Sequence, residues 1–378
     1  MHRLLNRLPL PSFYTIERIA FASPAARKLL GERYATYRFM WCRAMHKLGI
    51  LVPATFVQWL ATRECNMACE FCEAGAGEKQ PDELNYDEVI RLVDDLADMG
   101  VERFFISGGE PLVRKDIFEI INHVLERGMK YGIATNGLLV PRHEDEFARM
   151  RPYVYFTSLD GLEETNDHLR GHKGAFMQTL DSLDFIKSTG VRHRWVNTVV
   201  STENIDELDA LKDVIRQADV TVWRIALLIP VGRAQEKQDM FLDDAGVRRV
   251  LDFIRETRRI LPVEISEDAG CMGPCEFELR PAPFFCGAGL TRCSIMPDGE
   301  VLPCQIAYDN ACSEGNVRDK PFSEIWKNGF RQFREPVFEN ECIECRHFHA
   351  CRGGCWGMRI RDRHCLKHIW ENVPGAGT

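Results

Sequence analysis

The regular alternation of two kinds of segment, from about residue 53 to residue 228, constrains the fold most. Short runs of β-branched and aromatic residues alternate there with stretches of helical periodicity. This pattern is typical of βα units, in which each helix returns the chain to the next strand of a parallel sheet. Six strands are predicted, at residues 55–60, 101–106, 131–134, 154–158, 195–200 and 222–228. The sequence therefore predicts an α/β fold built as a partial (β/α)6 TIM-like barrel.

The helix expected after the first strand has the clearest boundaries. Asn85 and Glu88 form a capping pair at its start, and Gly100 ends it. Its apolar stripe consists of Val89, Leu92, Val93, Leu96 and Met99. A later helix is predicted to be capped by Asn204 and Glu207. Functional residues of such a sheet are expected at the C-terminal ends of the strands, where the loops meet.

The cysteine content points to metal chemistry. The chain has fifteen cysteines, an odd number for a disulfide framework. No apolar run reaches the roughly 18 to 20 residues of a membrane span, and the start lacks a secretion signal, so a cytoplasmic location is predicted. In that reducing compartment cysteines bind metal or react more often than they pair. Metal thiolates are therefore the leading hypothesis.

Charge is distributed unevenly along the chain, whose net charge is -8. Residues 1–50 carry about +7, which leaves about -15 for the remainder. The basic residues are Arg3, Arg7, Arg18, Arg27, Lys28, Arg33, Arg38, Arg43 and Lys47. One interpretation is a helical collar that packs on the acidic body. The other is a basic, aromatic arm that contacts an anionic membrane surface or an acidic peptide; no nucleic-acid partner is expected.

Three cysteines follow the first predicted strand at a characteristic spacing. Cys65, Cys69 and Cys72 form a CxxxCxxC loop. Three thiolates from one loop can hold three corners of a [4Fe-4S] cluster and leave one iron open, as a catalytic metal site requires. The spacing alone also allows a zinc knuckle, or an electron-transfer cluster with a distant fourth cysteine.

The residues around this loop resemble the signature of the radical SAM superfamily. The segment reads Arg63-Glu64-Cys65-Asn66-Met67-Ala68-Cys69-Glu70-Phe71-Cys72, with an aromatic residue directly before the last cysteine. Gly108-Gly109-Glu110-Pro111, after the second strand, is similar to the family's GGEP motif. Later segments similar to family motifs are Thr135-Asn136-Gly137, Thr157-Ser158-Leu159-Asp160-Gly161 and His168-Leu169-Arg170-Gly171 followed by Gly174-Ala175-Phe176.

The resemblance implies a binding site for S-adenosylmethionine (SAM) at these strand ends. Glu110 would receive the amino group of the methionine moiety, since a carboxylate accepts a charge-assisted hydrogen bond. The implied SAM contacts are Phe71, Gly108, Gly109, Glu110, Pro111, Asn136, Ser158, Asp160 and Arg170. Two of them have an alternative role, because Asp160 could instead cap the next turn and Arg170 could brace its loop.

The resemblance also implies a reaction. In this family the cluster passes an electron to SAM, which yields methionine and a 5′-deoxyadenosyl radical that abstracts hydrogen from a substrate C–H bond. The cofactor carries the chemistry, while the protein binds, orients and excludes water. A low-potential electron donor such as flavodoxin or ferredoxin is implied. The alternative of another class is a non-catalytic iron–sulfur carrier or scaffold.

The C-terminal part of the chain is rich in cysteine. From Cys271 onward it contains eleven cysteines, seven of which, together with Gly299, follow a spacing similar to the SPASM extension of radical SAM enzymes. The resemblance implies two auxiliary [4Fe-4S] clusters, hence three in all. Auxiliary cluster II is assigned to Cys342, Cys345, Cys351 and Cys365, and auxiliary cluster I to Cys286, Cys304, Cys355 and Cys293. Cys275 competes with Cys293 as the fourth ligand, and tetrahedral zinc sites are the alternative to clusters.

The remaining cysteines, Cys42, Cys271, Cys275 and Cys312, are expected to be small buried hydrophobic residues. Three domains are predicted: a basic helical N-terminal arm at 1–54, a radical SAM core at 55–260 and a SPASM domain at 261–378. Peptide or protein modification is the first substrate hypothesis, and a tetrapyrrole, quinone, lipid or other cofactor precursor is the second. Because residues 1–54 look too short for the winged-helix domain of many peptide-modifying relatives, a separate leader-peptide-binding protein is a predicted partner.

Overall fold

The computed structural model describes residues 24–48, 52–306, 312–359 and 365–371. Arg3, Arg7 and Arg18 of the basic arm lie outside these residues. The strands of the described sheet are β1 (Phe56–Leu60), β2 (Arg103–Ser107), β3 (Lys130–Ala134), β4 (Val154–Ser158), β5 (His193–Val200), β6 (Val222–Leu227), β7 (Val263–Ile265), β8 (Arg292–Ile295) and β9 (Val301–Leu302).

The sheet confirms the predicted α/β fold and extends it. All six predicted strands are present within two residues of their expected starts. The spatial order is β7-β6-β5-β4-β3-β2-β1-β8-β9, and the neighbours among the described strands pair in parallel except for the antiparallel pair β8 and β9. The three additional strands come from the part of the chain after residue 260, so the cysteine-rich segment contributes to both edges of the sheet.

Helices cross between the strands of the body and continue into the C-terminal segment. The helices that accompany β1 to β7 are α1 (Pro24–Lys47), α2 (Tyr86–Asp98), α3 (Ile117–Glu126), α4 (Glu144–Arg149), α5 (Glu163–Arg170), α6 (Ala175–Ser188), α7 (Leu208–Gln217) and α8 (Asp244–Thr257). The shorter helices that follow are α9 (Glu276–Leu279), α10 (Phe322–Asn328), α11 (Arg331–Arg334), α12 (Asn340–Ile343), α13 (Phe348–Cys351), α14 (Trp356–Arg359) and α15 (Lys367–Trp370).

The predicted start of α2 is confirmed, whereas the predicted cap of α7 is wrong. Asn85 Oδ1 accepts the Glu88 N–H, and Glu88 Oε2 accepts the Asn85 N–H, which completes a capping box. Asn204 instead accepts the Ser201 N–H and donates to the carbonyls of Asp160 and Val199, both at 2.8 Å. Its amide therefore joins the ends of β4 and β5 rather than capping the helix.

The core lies between the sheet and the helices. Val57 and Trp59 of β1 are fully buried and share one hydrophobic cluster with Phe104 of β2 and with Leu92 of α2. Side chains alternate across a strand, so Gln58 points to the opposite face, where its amide donates to Ser107 Oγ at 2.6 Å. One face of β1 thus packs on helices, while the other places the polar Gln58 between Phe56 and Leu60.

Helix α1 packs on the cysteine-rich segment, as the collar interpretation expects. Phe39 and Cys42 form a small apolar cluster with Phe285 and Leu290. The Arg352 guanidinium lies 4.2 Å from the centre of the Phe39 ring, a cation–π distance. Among the described residues, no helix is long and apolar enough to cross a membrane.

Candidate functional site

The three cysteines of the first motif lie in the loop that follows β1, at the C-terminal edge of the sheet. This segment, residues 61–77, is called the cluster loop below. It closes on itself, because the Cys65 N–H donates to the Gly77 carbonyl at 2.9 Å and the Gly77 N–H donates to the Arg63 carbonyl at 2.8 Å. Cys65, Cys69 and Cys72 are all half-buried. Among the described residues, no three Cys, His, Asp or Glu side chains are placed to hold a single metal ion.

Burial favours the protonated form of two thiols of the cluster loop, Cys65 and Cys69. Burial raises the pKa of Cys65 to about 12. Burial also raises the pKa of Cys69, although the Arg170 guanidinium lowers it. Because iron ligands must be thiolates, binding of a cluster would release these protons.

The glycines after β2 are required by the cluster loop itself. A Cβ on Gly108 would lie 2.6 Å from the Thr62 oxygen, and one on Gly109 would lie 2.1 Å from the Glu64 oxygen. The two backbones are joined by hydrogen bonds, since the N–H groups of Gly109 and Glu110 donate to the carbonyls of Thr62 and Glu64 at 2.7 and 2.8 Å. The two glycines therefore make room for the cluster loop, and their predicted contact with SAM stays a prediction.

Glu110 is fully buried and joins the ends of β2 and β3. Its carboxylate accepts from Leu112 N–H at 3.0 Å, from the Thr135 hydroxyl at 2.8 Å and from Asn136 N–H at 2.7 Å. Burial nevertheless raises the pKa of Glu110 to about 7. The Asn136 side chain in turn donates to Asn66 Oδ1 at 2.7 Å, which ties this corner to the cluster loop.

Arg170 connects the end of β4 to a cluster cysteine. Its guanidinium forms an ion pair with the fully buried Asp160 carboxylate, and Nη1 lies 3.9 Å from Cys69 Sγ, within hydrogen-bond distance of sulfur. Asp160 Oδ1 also accepts the Val199 N–H at 2.7 Å. Burial raises the pKa of Asp160 while Arg170 lowers it. Both residues therefore brace the site, and Arg170 contacts the Cys69 thiol directly.

The same corner contains a polar atom that fits a carboxylate ligand. Arg170 Nε is buried and has no hydrogen-bond partner among the described residues. Ser158, at the end of β4, is half-buried and is in register with Asn197 of β5. A buried donor without an acceptor costs free energy, so a ligand carboxylate placed there would be stabilised.

Phe71 and Pro111 have structural roles. Phe71, in the cluster loop, is buried in an apolar cluster with Leu169, Leu228 and Met240. Pro111 is the first residue of a short 3-10 turn whose start is capped by the Glu110 side chain. Their predicted contact with SAM stays a prediction.

Two residues after β6 hold the cluster loop and were missed from the sequence. Gly232 has a φ of +60°, and a Cβ there would lie 2.2 Å from the Cys72 oxygen. Arg233 donates to the carbonyl oxygens of Cys72, Cys69 and Ala76, at 3.0 Å from its backbone N–H and 2.7 Å twice from its guanidinium. The sequence offered no distinctive signal for them, since a glycine followed by an arginine in the loop after a strand is an ordinary pattern.

A cavity of about 320 Å³ opens beside Cys69 on this side of the loop. Its lining includes Glu70, Arg233, Glu236 and Lys237, and Lys237 forms an ion pair with Glu70. Apart from Cys69, the predicted cluster and SAM residues do not line it. The volume falls at the lower end of the range for small-molecule sites.

The cysteines of the C-terminal segment form two groups. Burial raises the pKa of Cys355, and the nearby thiols of Cys286 and Cys304 raise it further, so these three lie together. Burial also raises the pKa of Cys342 and of Cys365. The nearby Cys351 thiol raises the pKa of both, and the Cys345 thiol also raises the pKa of Cys365. The two predicted auxiliary groups are thus brought together, apart from Cys293.

The other cysteines are placed as follows. Cys42 and Cys275 are buried in apolar clusters, as predicted, and Cys312 packs against the main core. Cys293 is buried in the main core on β8, opposite Val57 of β1. Cys271 is half-buried and packs against the same apolar cluster as Cys286 and Cys304, of which Cys355 is a member.

Comparison with known proteins agrees with this arrangement. Residues 59–215 match the radical SAM superfamily, and residues 286–355 match SPASM, an iron-sulfur cluster-binding domain. A mycofactocin maturase, MftC of Mycolicibacterium smegmatis, is 31% identical over 313 residues, which cover 80% of this chain and 78% of the relative. An AdoMet-dependent heme synthase of Nitratidesulfovibrio vulgaris is 29% identical over 321 residues (79% and 86%).

A further relative and two solved structures complete the comparison. An Fe-coproporphyrin III synthase of Methanosarcina barkeri is 30% identical over 355 residues (85% and 87%). Streptococcus suis SuiB bound to S-adenosylmethionine has a TM-score of 0.69 at 21% identity (85% and 77%), and anSMEcpe bound to AdoMet and a peptide has 0.66 at 18% (85% and 94%). These two show a shared fold. The chain therefore belongs to the radical SAM superfamily, as an enzyme that carries a C-terminal SPASM domain.

Proposed function

We propose that the protein cleaves SAM reductively and uses the resulting radical to abstract hydrogen from a substrate C–H bond. The observation that carries this proposal is the contact between the Arg170 guanidinium and Cys69. This cysteine lies in the cluster loop, which packs closely on the glycines that follow β2 and β6. The cluster and SAM, when bound, supply the electron, the C–S bond cleavage and the 5′-deoxyadenosyl radical. Cys65, Cys69 and Cys72 would hold that cluster.

The residues of the chain would bind and orient the methionine end of SAM. Arg170 Nε, a buried donor without a partner among the described residues, would receive the carboxylate. Glu110 would receive the amino group. Its carboxylate is fixed in position because it accepts three hydrogen bonds from the protein. Asn136 and Ser158, at the ends of β3 and β4, would complete the polar edge.

The test is SAM cleavage by the reconstituted, reduced protein. We expect 5′-deoxyadenosine to form, and Cys69→Ala to abolish it. Cys42→Ala is the control, because this thiol is buried in the α1 contact and is expected to leave cleavage unchanged. A chain that binds iron but yields no 5′-deoxyadenosine would instead be a carrier or scaffold.

A peptide or protein is the first substrate class. It is supported by the 31% identity to a maturase over most of both chains, and the fold is shared with SuiB, which has been crystallised with its precursor peptide SuiA. A separate leader-peptide-binding protein would then be a partner. Turnover of SAM that rises on addition of a peptide encoded beside the gene is the expected result.

A tetrapyrrole is the second substrate class. The match to the Fe-coproporphyrin III synthase covers 85% of this chain, against 80% for the maturase, and AdoMet-dependent heme synthases are also similar. Fe-coproporphyrin III, the compound that such a synthase forms, would then bind to the protein, and its visible absorption would shift. No shift at micromolar concentrations would favour the peptide class.

The proposed partners also include an electron donor and an anionic surface. A flavodoxin or ferredoxin would supply electrons, and the basic arm at residues 1–50 would contact anionic membranes. We expect a triple variant, R3E with R7E and R18E, to weaken binding to anionic vesicles. Folding should be kept, because the variant leaves the packing of Phe39 of α1 on the body unchanged. Equal binding of the variant and the parent would exclude the membrane role.

A further inference from the structure

We propose that Cys271 is the fourth protein ligand of auxiliary cluster I, together with Cys286, Cys304 and Cys355. The inference rests on the proposed function, since it assumes that the C-terminal segment holds two clusters. Neither the SPASM spacing nor the family match, which begins at residue 286, includes this cysteine. It assigns the ligand that the spacing left open.

Packing places Cys271 with the three assigned ligands. Cys355 belongs to one apolar cluster with Val231, Phe284 and Ile306, and the other three cysteines pack against that cluster. Four cysteines on one apolar cluster are the number of thiolates that a [4Fe-4S] cluster takes when all its irons are held by the protein. The apolar surroundings also exclude water, which helps to set a cluster's reduction potential.

The turn that carries Cys271 is fixed by its own hydrogen bonds. The Gly273 N–H donates to Cys271 Sγ at 3.4 Å, an interaction that stabilises a thiolate. Glu276 accepts the Met272 N–H at 2.7 Å, and the Gly270 carbonyl accepts from Arg280 at 2.9 Å. The sulfur is therefore held in place by the protein and need not be ordered by the metal.

Cys271 also contacts a thiol of the other group, because it forms a hydrogen bond with Cys351. That group already has four cysteines, Cys342, Cys345, Cys351 and Cys365, whereas the first has three. A thiol that lies beside both groups would complete the one that lacks a ligand, so the two sets of ligands would be in contact.

Cys293 lies on the wrong side of its strand for this role. It is in register with Val57, whose side chain is in the main core, so Cys293 shares that face. Arg292, its neighbour, points to the opposite face. Burial lowers the pKa of Arg292, but Glu267 and the thiols of Cys304 and Cys286 outweigh that effect and raise it, so these thiols are on its side.

Cys275 is directed toward helix α8. Arg255 Nη2 lies 3.7 Å from its sulfur, and the thiol is buried in the main core. Cys275 and Cys293 therefore have defined surroundings of their own, and they serve as matched controls for a substitution of Cys271.

The experiment uses the full chain with the radical cluster removed. In a parent with Cys65, Cys69 and Cys72 all changed to Ala, two auxiliary clusters would hold about eight irons per chain. Cys271→Ser and Cys271→Ala are expected to lower the iron and sulfide content, or to give a three-iron signal by electron paramagnetic resonance after mild oxidation. Cys275→Ser and Cys293→Ser are expected to match the parent.

The outcomes separate this proposal from the proposed function. Full iron in the Cys271 variants, with loss in Cys293→Ser or Cys275→Ser, would overturn the assignment, as would equal loss in all variants. Folding is checked independently by far-ultraviolet circular dichroism. A parent that holds only about four irons would instead show that the two-cluster premise is wrong, whichever cysteine is changed.

Discussion

Gly232→Ala should displace the cluster loop without removing a single cysteine. A Cβ at this position would lie 2.2 Å from the Cys72 oxygen and 2.4 Å from the Glu73 oxygen. Carbon–oxygen contacts are normally at least about 3.3 Å, so the loop must move by about 1 Å. The φ of +60° adds a backbone cost of about 1–2 kcal/mol for any residue with a side chain.

A shift of this size can lower a reaction rate by about a hundredfold, since reacting groups lose their alignment. The assay is 5′-deoxyadenosine formation by the reduced, reconstituted enzyme, normalised to iron content. Gly75→Ala is the matched control, because Gly75 lies in the same loop with a φ of +57° but has no described atom within 4 Å of an added Cβ. It should lose a similar amount of stability and keep its activity. Equal activity of the two variants would show that the Gly232 contact does not position the loop.

Three further substitutions test the residues around the loop. Folding stability should fall as the pH rises from about 4.5 to 7, by as much as about 3 kcal/mol, because Glu110 keeps its proton to a higher pH when folded than when unfolded. Glu110→Gln should remove that fall in urea unfolding, and parallel curves would contradict it. Asp160→Asn leaves the Arg170 charge buried without its partner and should cost about 3–5 kcal/mol in the same assay, whereas a loss below about 1 kcal/mol would argue against the ion pair. Arg233→Ala removes two charged hydrogen bonds, including the one to the Cys69 carbonyl, and should speed iron loss to a chelator; an unchanged rate would count against this role.

Local sequence features predicted the body of the sheet well. Each of the first six strands is bounded by turn residues and followed by a helix with its own apolar stripe, so neighbouring residues contain the necessary information. Strand β8 could not be found in this way, because its pairing with β1 joins residues more than two hundred positions apart. Strand β7 has three residues, too few for a recognisable period.

The motifs located the site, but their contacts depended on tertiary structure. The spacing identified Cys69, and the resemblance indicated Arg170, yet the sequence could not show that the two side chains meet. Gly109 was expected to contact SAM, and the sequence could not show that it also makes room for the Glu64 carbonyl. Arg233 was missed because an arginine in a loop has no distinctive pattern until its three acceptors are known.

The parallel pairing of β8 with β1 bears on whether the body and the cysteine-rich segment are separable modules. The strand that leads into the cluster loop has β2 on one side and β8 on the other. A chain that ended at residue 260 would expose one whole edge of β1 and, through the loss of β7, an edge of β6. Such unpaired edges promote self-association. We therefore expect the two parts to unfold together. Neither part is expected to fold alone when it is expressed without the other or transferred to another protein.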